Sequence, residues 1–130
     1  MGRGRRWRCG TGTLRLTNGD GGWDDGSGVV IPVEIAASYG TRRRGLLGRD
    51  GITGALLLTP CNAVHTLGMR FAVDVAYLDR ELRVVALHTL RPHRLALPRL
   101  RARHVLEAEA GAMAAWGIRP GVRLRVEPGP

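Results

Sequence analysis

Residues 61–79 read CNAVHTLGMRFAVDVAYLD, and the second half of that run decides the fold. From Ala72 to Leu78 the side chains alternate. Ala72, Asp74, Ala76 and Leu78 take one side, and Val73, Val75 and Tyr77 the other, which is the period of a strand. Asp79-Arg80-Glu81 then reads as a turn, since Asp bonds its own backbone in turns, and Leu82 to Leu87 returns as the hairpin partner. The first half is different in kind. It sets a Cys, a His, a Thr and a Met-Arg pair ahead of the strand, and Pro60 and Gly68 keep it a loop. Polar residues this dense at the mouth of an apolar strand mark either a site or a polar structural corner.

On the N-terminal side, Ala55 to Thr59 is a short apolar strand stopped by Pro60. Ser38 or Thr41 caps a short helix that runs through Leu47 and stops at Gly48. Val29 to Ala36 is a β-branched strand, which Pro32 pushes toward a sheet edge. On the C-terminal side, residues 91–101 are an Arg/Pro/Leu loop, 103–108 a strand, 112–116 a helical turn and 122–126 the last strand. The expectation is an α+β fold: one compact, β-dominated domain over residues 29–127, a bent sheet or small barrel with one or two short helices. Residues 128–130 read as a tail. Residues 1–28, rich in Gly, Arg and Asp despite Trp7 and Trp23, read as a disordered leader.

The chain has 130 residues, 44% of them hydrophobic, which suits one domain with its own core. Folding at this size requires neither metal nor disulfide. Two cysteines, Cys9 and Cys61, make no disulfide framework and suggest a reducing cytoplasm. No apolar run approaches a membrane span, and the basic start is not followed by the apolar stretch of an export signal. Net charge is +9, with a pI near 11.4, which raises nucleic acid as a partner. Every basic residue is Arg, however, and the arginines are spread along the chain. The densest group is Arg91, Arg94, Arg99, Arg101 and Arg103, a basic patch able to track phosphates. With 5% aromatic residues, the chain lacks a stacking platform for single strands. A solvated basic face is the plainer reading.

Several chemistries compete for the 61–79 run. A metal centre needs three or four converging ligands. Cys61 and His65 make one suggestive pair, with His88, His93 and His104 elsewhere, and no Cys-x-x-Cys accompanies them, so no metal and no cofactor is expected. As a nucleophile, Cys61 would take His65 as its base and Arg70 to lower its pKa. Asp74, inside an apolar strand, needs a partner for its charge, either Arg70 four residues earlier or backbone N–H groups. Glu107, in VLEAEA, is a second charge at a core position. No Walker loop or G-x-G-x-x-G follows a strand. The pocket expected from these residues comprises His65, Thr66, Met69, Arg70, Asp74 and Glu107, with Asp74, Glu107 and Arg70 meeting across strands.

The same residues carry a resemblance. His65-Thr66-x-x-Met69-Arg70-Phe71-x-x-Asp74-Val75-x-x-Leu78-Asp79 resembles the signature of the prokaryotic domain-of-unknown-function family 192. Upstream, Thr41 to Arg49 is similar to that family's RxxGLMGR helix, with Leu47 in place of Met. Downstream, His104-Val105-Leu106-Glu107, Ala110-Gly111 and Gly117-Ile118-x-Pro120-Gly121 are similar to its closing segment, so the likeness spans roughly residues 30 to 127. Ala72 stands where the family often has Pro, and Glu81-Leu82 replaces its Asp-Gly turn. Val122 replaces the Asp after Gly121, removing one carboxylate from any site there. The resemblance implies a fold class and no activity. No catalytic set is complete in the sequence, which favours an accessory or ligand-binding module taking a small polar ligand or a protein partner. The rivals are a hydrolase or transferase using His65, Asp74, Cys61 or Arg70, and a binder of nucleic acid or an acidic partner through the basic patch.

Overall fold

A computed structural model describes residues 6–16, 28–96 and 98–129. Among them, seven strands form one sheet: β1 (Gly10–Leu16), β2 (Val30–Ala36), β3 (Ala55–Leu58), β4 (Val73–Leu78), β5 (Val84–Leu90), β6 (His104–Glu109) and β7 (Leu124–Pro128). Two short helices, α1 (Tyr39–Arg44) and α2 (Ala112–Trp116), complete the fold. The strand order is β5-β4-β6-β3-β2-β1-β7. β2 and β3 pair in parallel, which requires a crossover, and α1 lies within it. The α+β, β-dominated expectation therefore holds. No helix among the described residues is long and apolar enough to cross a membrane.

The sheet bends until its two edges touch at one end. Val84 N donates to Val122 O (2.8 Å), Gly121 N to Val84 O (2.8 Å) and Leu124 N to Leu82 O (2.8 Å). These bonds surround one isolated bridge, Arg83–Arg123, rather than a ladder. The bent-sheet alternative is thus the right one, and the sheet does not close into a barrel.

Three expectations need correction. Gly10–Leu16, placed above in a disordered leader, are β1, paired on both sides by β2 and β7. The Gly/Arg composition misled because Gly12 reflects close packing: a Cβ there would collide with the Glu127 carbonyl. The rest of that leader reading, residues 1–5 and 17–27, lies outside the described residues. The tail is also shorter than expected, since β7 includes Pro128 and Gly129 N donates to Thr11 O at 2.7 Å. Finally, β2 is an interior strand despite Pro32. β3 pairs only from Val33 onward, so the donor that proline lacks falls where β3 has not begun. Gly54 completes that corner, since any Cβ would strike the Pro32 carbonyl.

The alternation of β4 holds on both faces, and all six of its residues are buried. Ala76 and Leu78 join Leu57, Leu106, Ile31 and Leu14 in one cluster, closed by Met113 and Ile118. Val73, Val75 and Tyr77 join Leu56, Leu58, Val105, Leu46 and Met69 on the opposite face. β3, β4 and β6 are therefore covered twice, and polar side chains on them are committed to one apolar layer or the other. Ser38 N-caps α1 through a capping box with Thr41. Arg49, just beyond α1, is clamped to Glu34 of β2 by two bonds, 2.7 and 2.9 Å.

Candidate functional site

Period-2 geometry separates the two buried carboxylates. On the β4–β6 ladder Asp74 faces Ala108 and Val75 faces Glu107, so Asp74 and Glu107 point to opposite faces. The expected meeting of Asp74, Glu107 and Arg70 does not occur. Arg70 is exposed and pairs with Asp50 at 3.2 Å.

Asp74 has a full set of donors. Its Oδ1 accepts the Thr89 hydroxyl at 2.7 Å, and Oδ2 accepts Gly111 N at 2.9 Å and Met113 N at 3.1 Å. Gly111 is the N-cap of α2 and has no side chain to cap with, so Asp74 caps that helix from across the sheet. This is the backbone-donor alternative for Asp74.

Glu107 is the reverse case. It is 5% exposed, and among the described residues no hydrogen-bond donor reaches it. Burial pushes its carboxyl up to about 7, because the charged form loses its water without gaining a partner. Its side chain forms part of the wall of a cavity of about 300 Å³ between α1 and the loop before β4, with Cys61, His65, Met69 and Arg42 to Arg44 also around it. Arg42 is tied back by Nη1 to the Ala37 carbonyl at 3.1 Å. The run Arg42-Arg43-Arg44 directly before Gly45 was the signal in the sequence that could have pointed to these residues.

The remaining expected site residues divide between this cavity and other tasks. His65 and Met69 line it; Thr66, Arg70 and Asp74 do not. Thr66 is fully buried. Its hydroxyl donates to Arg91 O at 2.6 Å and accepts Arg94 N at 2.8 Å, which pins the 91–94 segment to the loop. His65 Nδ1 accepts Leu67 N at 3.3 Å. Cys61 donates its thiol to Ala63 O at 3.2 Å, and burial raises its pKa, the opposite of an activated nucleophile. Asp79 holds the β4–β5 turn, accepting Glu81 N and Arg83 N at 2.9 and 3.0 Å. Among the described residues no group of three His, Cys, Asp or Glu converges as a metal site would require.

The basic patch is also divided. Arg99 lies over the Tyr77 ring, 5.7 Å from its centroid, with Nη2 2.6 Å from His88 Nε2. Arg103 instead lines a larger cavity with Arg80, Arg123 and Arg125. Arg94 Nη1 reaches the His93 carbonyl at 3.4 Å, while Arg91 and Arg101 are exposed.

The family model DUF192, described as "Uncharacterized ACR, COG1430", matches residues 23–126. The chain belongs to this family. A UPF0127 protein of Pyrococcus furiosus is 31% identical over 104 residues, covering 76% of this chain and 90% of the relative. One from Pyrococcus horikoshii is 32% identical over 84 residues, 61% of this chain and 73% of that one. Two solved structures share the fold. A Sinorhizobium meliloti protein described as a candidate transcription regulator superposes with a TM-score of 0.74 at 21% identity, covering 94% of this chain and 98% of that one. A protein of unknown function from Novosphingobium aromaticivorans gives 0.71 at 20% identity, covering 87% and 83%. At these identities the likeness establishes the DUF192 fold and nothing about activity.

Proposed function

We propose that this DUF192 protein is a non-catalytic ligand-binding module whose pocket is the cavity beside Glu107. One observation carries the reading: a carboxyl buried in a central strand, without a hydrogen-bond donor among the described residues, at the wall of a cavity. The carboxyl borders the cavity without a protein donor, and a hydrogen bond to such a group is worth roughly 0.5–3 kcal/mol, so a ligand that supplies the donor would gain it. The ligand best suited is small and polar, with a hydroxyl or amide for Glu107. The arginines of α1 favour one that carries negative charge toward the rim. Both cysteines are free thiols, which supports a cytoplasmic setting.

Ligand-observed NMR against a library of polyols, hydroxy acids and amides tests this, using the native protein and Glu107→Leu. Hits lost in the variant, with the fold retained by circular dichroism, support the module. Hits that persist unchanged, or none in either protein, reject it. The carboxyl near 7 also favours a second reading of the same cavity, since that is where a general acid or base works at neutral pH. Hydrolase activity abolished by Glu107→Gln would convert the module into an enzyme.

A further inference from the structure

At the end where the two edges of the bent sheet touch, a second cavity of about 850 Å³ opens beside Leu82 and Leu124. It is distinct from the Glu107 pocket, and no residue is shared between the two linings. Four arginines from three separate segments meet around it: Arg80 from the β4–β5 turn, Arg103 from the start of β6, and Arg123 and Arg125 from the β7 region. Glu81 is the one carboxylate in the lining. Two of the arginines have protein partners: Arg123 Nε donates to the Glu81 carbonyl at 3.1 Å, and Arg125 lies 3.5 Å from Glu127, which also stands 3.8 Å from Arg15. Asp79 accepts two backbone N–H groups of its turn.

The lining also has apolar and aromatic members. Trp7 and Pro60 face the cavity together with Leu82, Leu124 and Val126. Trp7 packs edge-on against His104, with ring centroids 5.6 Å apart, and His104 is anchored through Nδ1 to the Thr59 hydroxyl at 2.7 Å. Burial lowers the His104 pKa, opposed by Asp79 and aided by Arg103, so the ring is a neutral wall element and the positive charge comes from arginine.

From this arrangement we propose a second binding site, for a small organic anion: a carboxylate, phosphate or sulfonate group held by the arginines, with a planar or apolar body against Trp7 and Pro60. Three physical points select that class. Guanidinium forks match the oxygens of carboxylates and phosphates better than any other side chain. An excess of one sign around a concavity, here four arginines against Glu81 and the Glu127 beside Arg125, focuses the field on its interior. The volume falls in the range of small-molecule pockets, roughly 300–1,000 Å³. A nucleic-acid strand is less well matched, because the arginines surround a recess with a single Trp7–His104 ring pair instead of tracking along a groove with several stacking rings.

The probe is 1-anilinonaphthalene-8-sulfonate, followed by fluorescence and calorimetry at low salt. The comparison is native protein against an Arg80→Gln/Arg103→Gln variant. Both residues are exposed, and neither guanidinium hydrogen-bonds a described residue, so the variant should fold as the native protein does. The expected result is one site per chain, weakened at least ten-fold in the double variant and further by 0.5 M NaCl. A Trp7→Leu variant should bind more weakly with its salt dependence unchanged. No binding, several equivalent sites, or equal affinity in the double variant overturns the proposal. Displacement of the dye by a single-stranded oligonucleotide, at a lower phosphate concentration than by adenosine monophosphate, also overturns it and assigns the basin to nucleic acid.

Discussion

Asp74 and Glu107 are carboxylates on neighbouring central strands, 4% and 5% exposed, yet they live under opposite conditions. Asp74 faces the layer that contains α2 and receives three donors, two of them backbone N–H groups of a helix with no cap of its own. Glu107 faces the layer that contains α1 and receives none from the described residues. Burial alone therefore does not separate the two acids. The donors around the oxygens do, because Asp74 is held by the fold's own N–H and O–H groups and Glu107 borders a cavity instead.

The strongest way to break this comparison is Asp74→Ala. It leaves the Thr89 hydroxyl, Gly111 N and Met113 N without their acceptor, and should cost about 3–4 kcal/mol in urea unfolding. A loss below 1 kcal/mol would mean that water replaces the carboxylate and that α2 does not depend on it.

Glu107 should show the reverse dependence, through pH. Its folded pKa, about 7, lies above its ordinary value of 4.5. The folded protein therefore holds a proton that the unfolded chain has released between those values, and stability falls as pH rises across this window. The Glu107→Gln variant lacks this titration. Relative to it, the native protein should lose about 2–3 kcal/mol between pH 4 and pH 8. Parallel stability curves for the two proteins would show that Glu107 has a partner after all.

These two carboxylates also show how much the sequence discloses. The alternation of residues 72–78 was sufficient to place β4 and assign each side chain to a face, and Asp79 announced its turn through known Asx chemistry. Both acids stood out as charges in apolar strands. Their separation was not legible, because a sequence carries no cross-strand register, and one residue of offset sends a side chain to the other face. β1 was missed for a related reason. Gly12, Leu14 and Leu16 do alternate with Thr11, Thr13 and Arg15, but two glycines in seven residues resembled linker chemistry until the approach of Glu127 explained one of them. The arginine basin was invisible to local reading, since Arg80, Arg103, Arg123 and Arg125 meet only after the sheet has bent.

The two cysteines carry the comparison to a different acid, one exposed with donors around it and one raised by burial. Cys9 is exposed and lies 3.4 Å from the Thr41 hydroxyl and 3.3 Å from Ala37 N. These contacts, Thr41 first, then Ala37 and Ser38, lower its pKa to about 7. Cys61 is raised by burial. At pH 7 about half of Cys9 should be thiolate against roughly one per cent or less of Cys61, so iodoacetamide should label Cys9 at least ten-fold faster. Peptide mapping reads the ratio. Equal rates would show that the hydrogen bonds at Cys9 do not stabilise its anion.

The smallest effect should come from Arg70. Its sequence position, four residues before Asp74, invites an ion pair, but the guanidinium turns outward to Asp50, and the two side chains are 60% and 88% exposed. Solvent screens such a pair, and its contribution should stay within about 0.5 kcal/mol. Arg70→Ala should therefore leave stability nearly unchanged, and its small effect should vanish in 0.5 M NaCl. A loss of 2 kcal/mol or more would mean that Arg70 acts on the buried Asp74. Asp74 would then depend on a surface charge as well as on α2, and the contrast with Glu107 would rest on more than backbone donors.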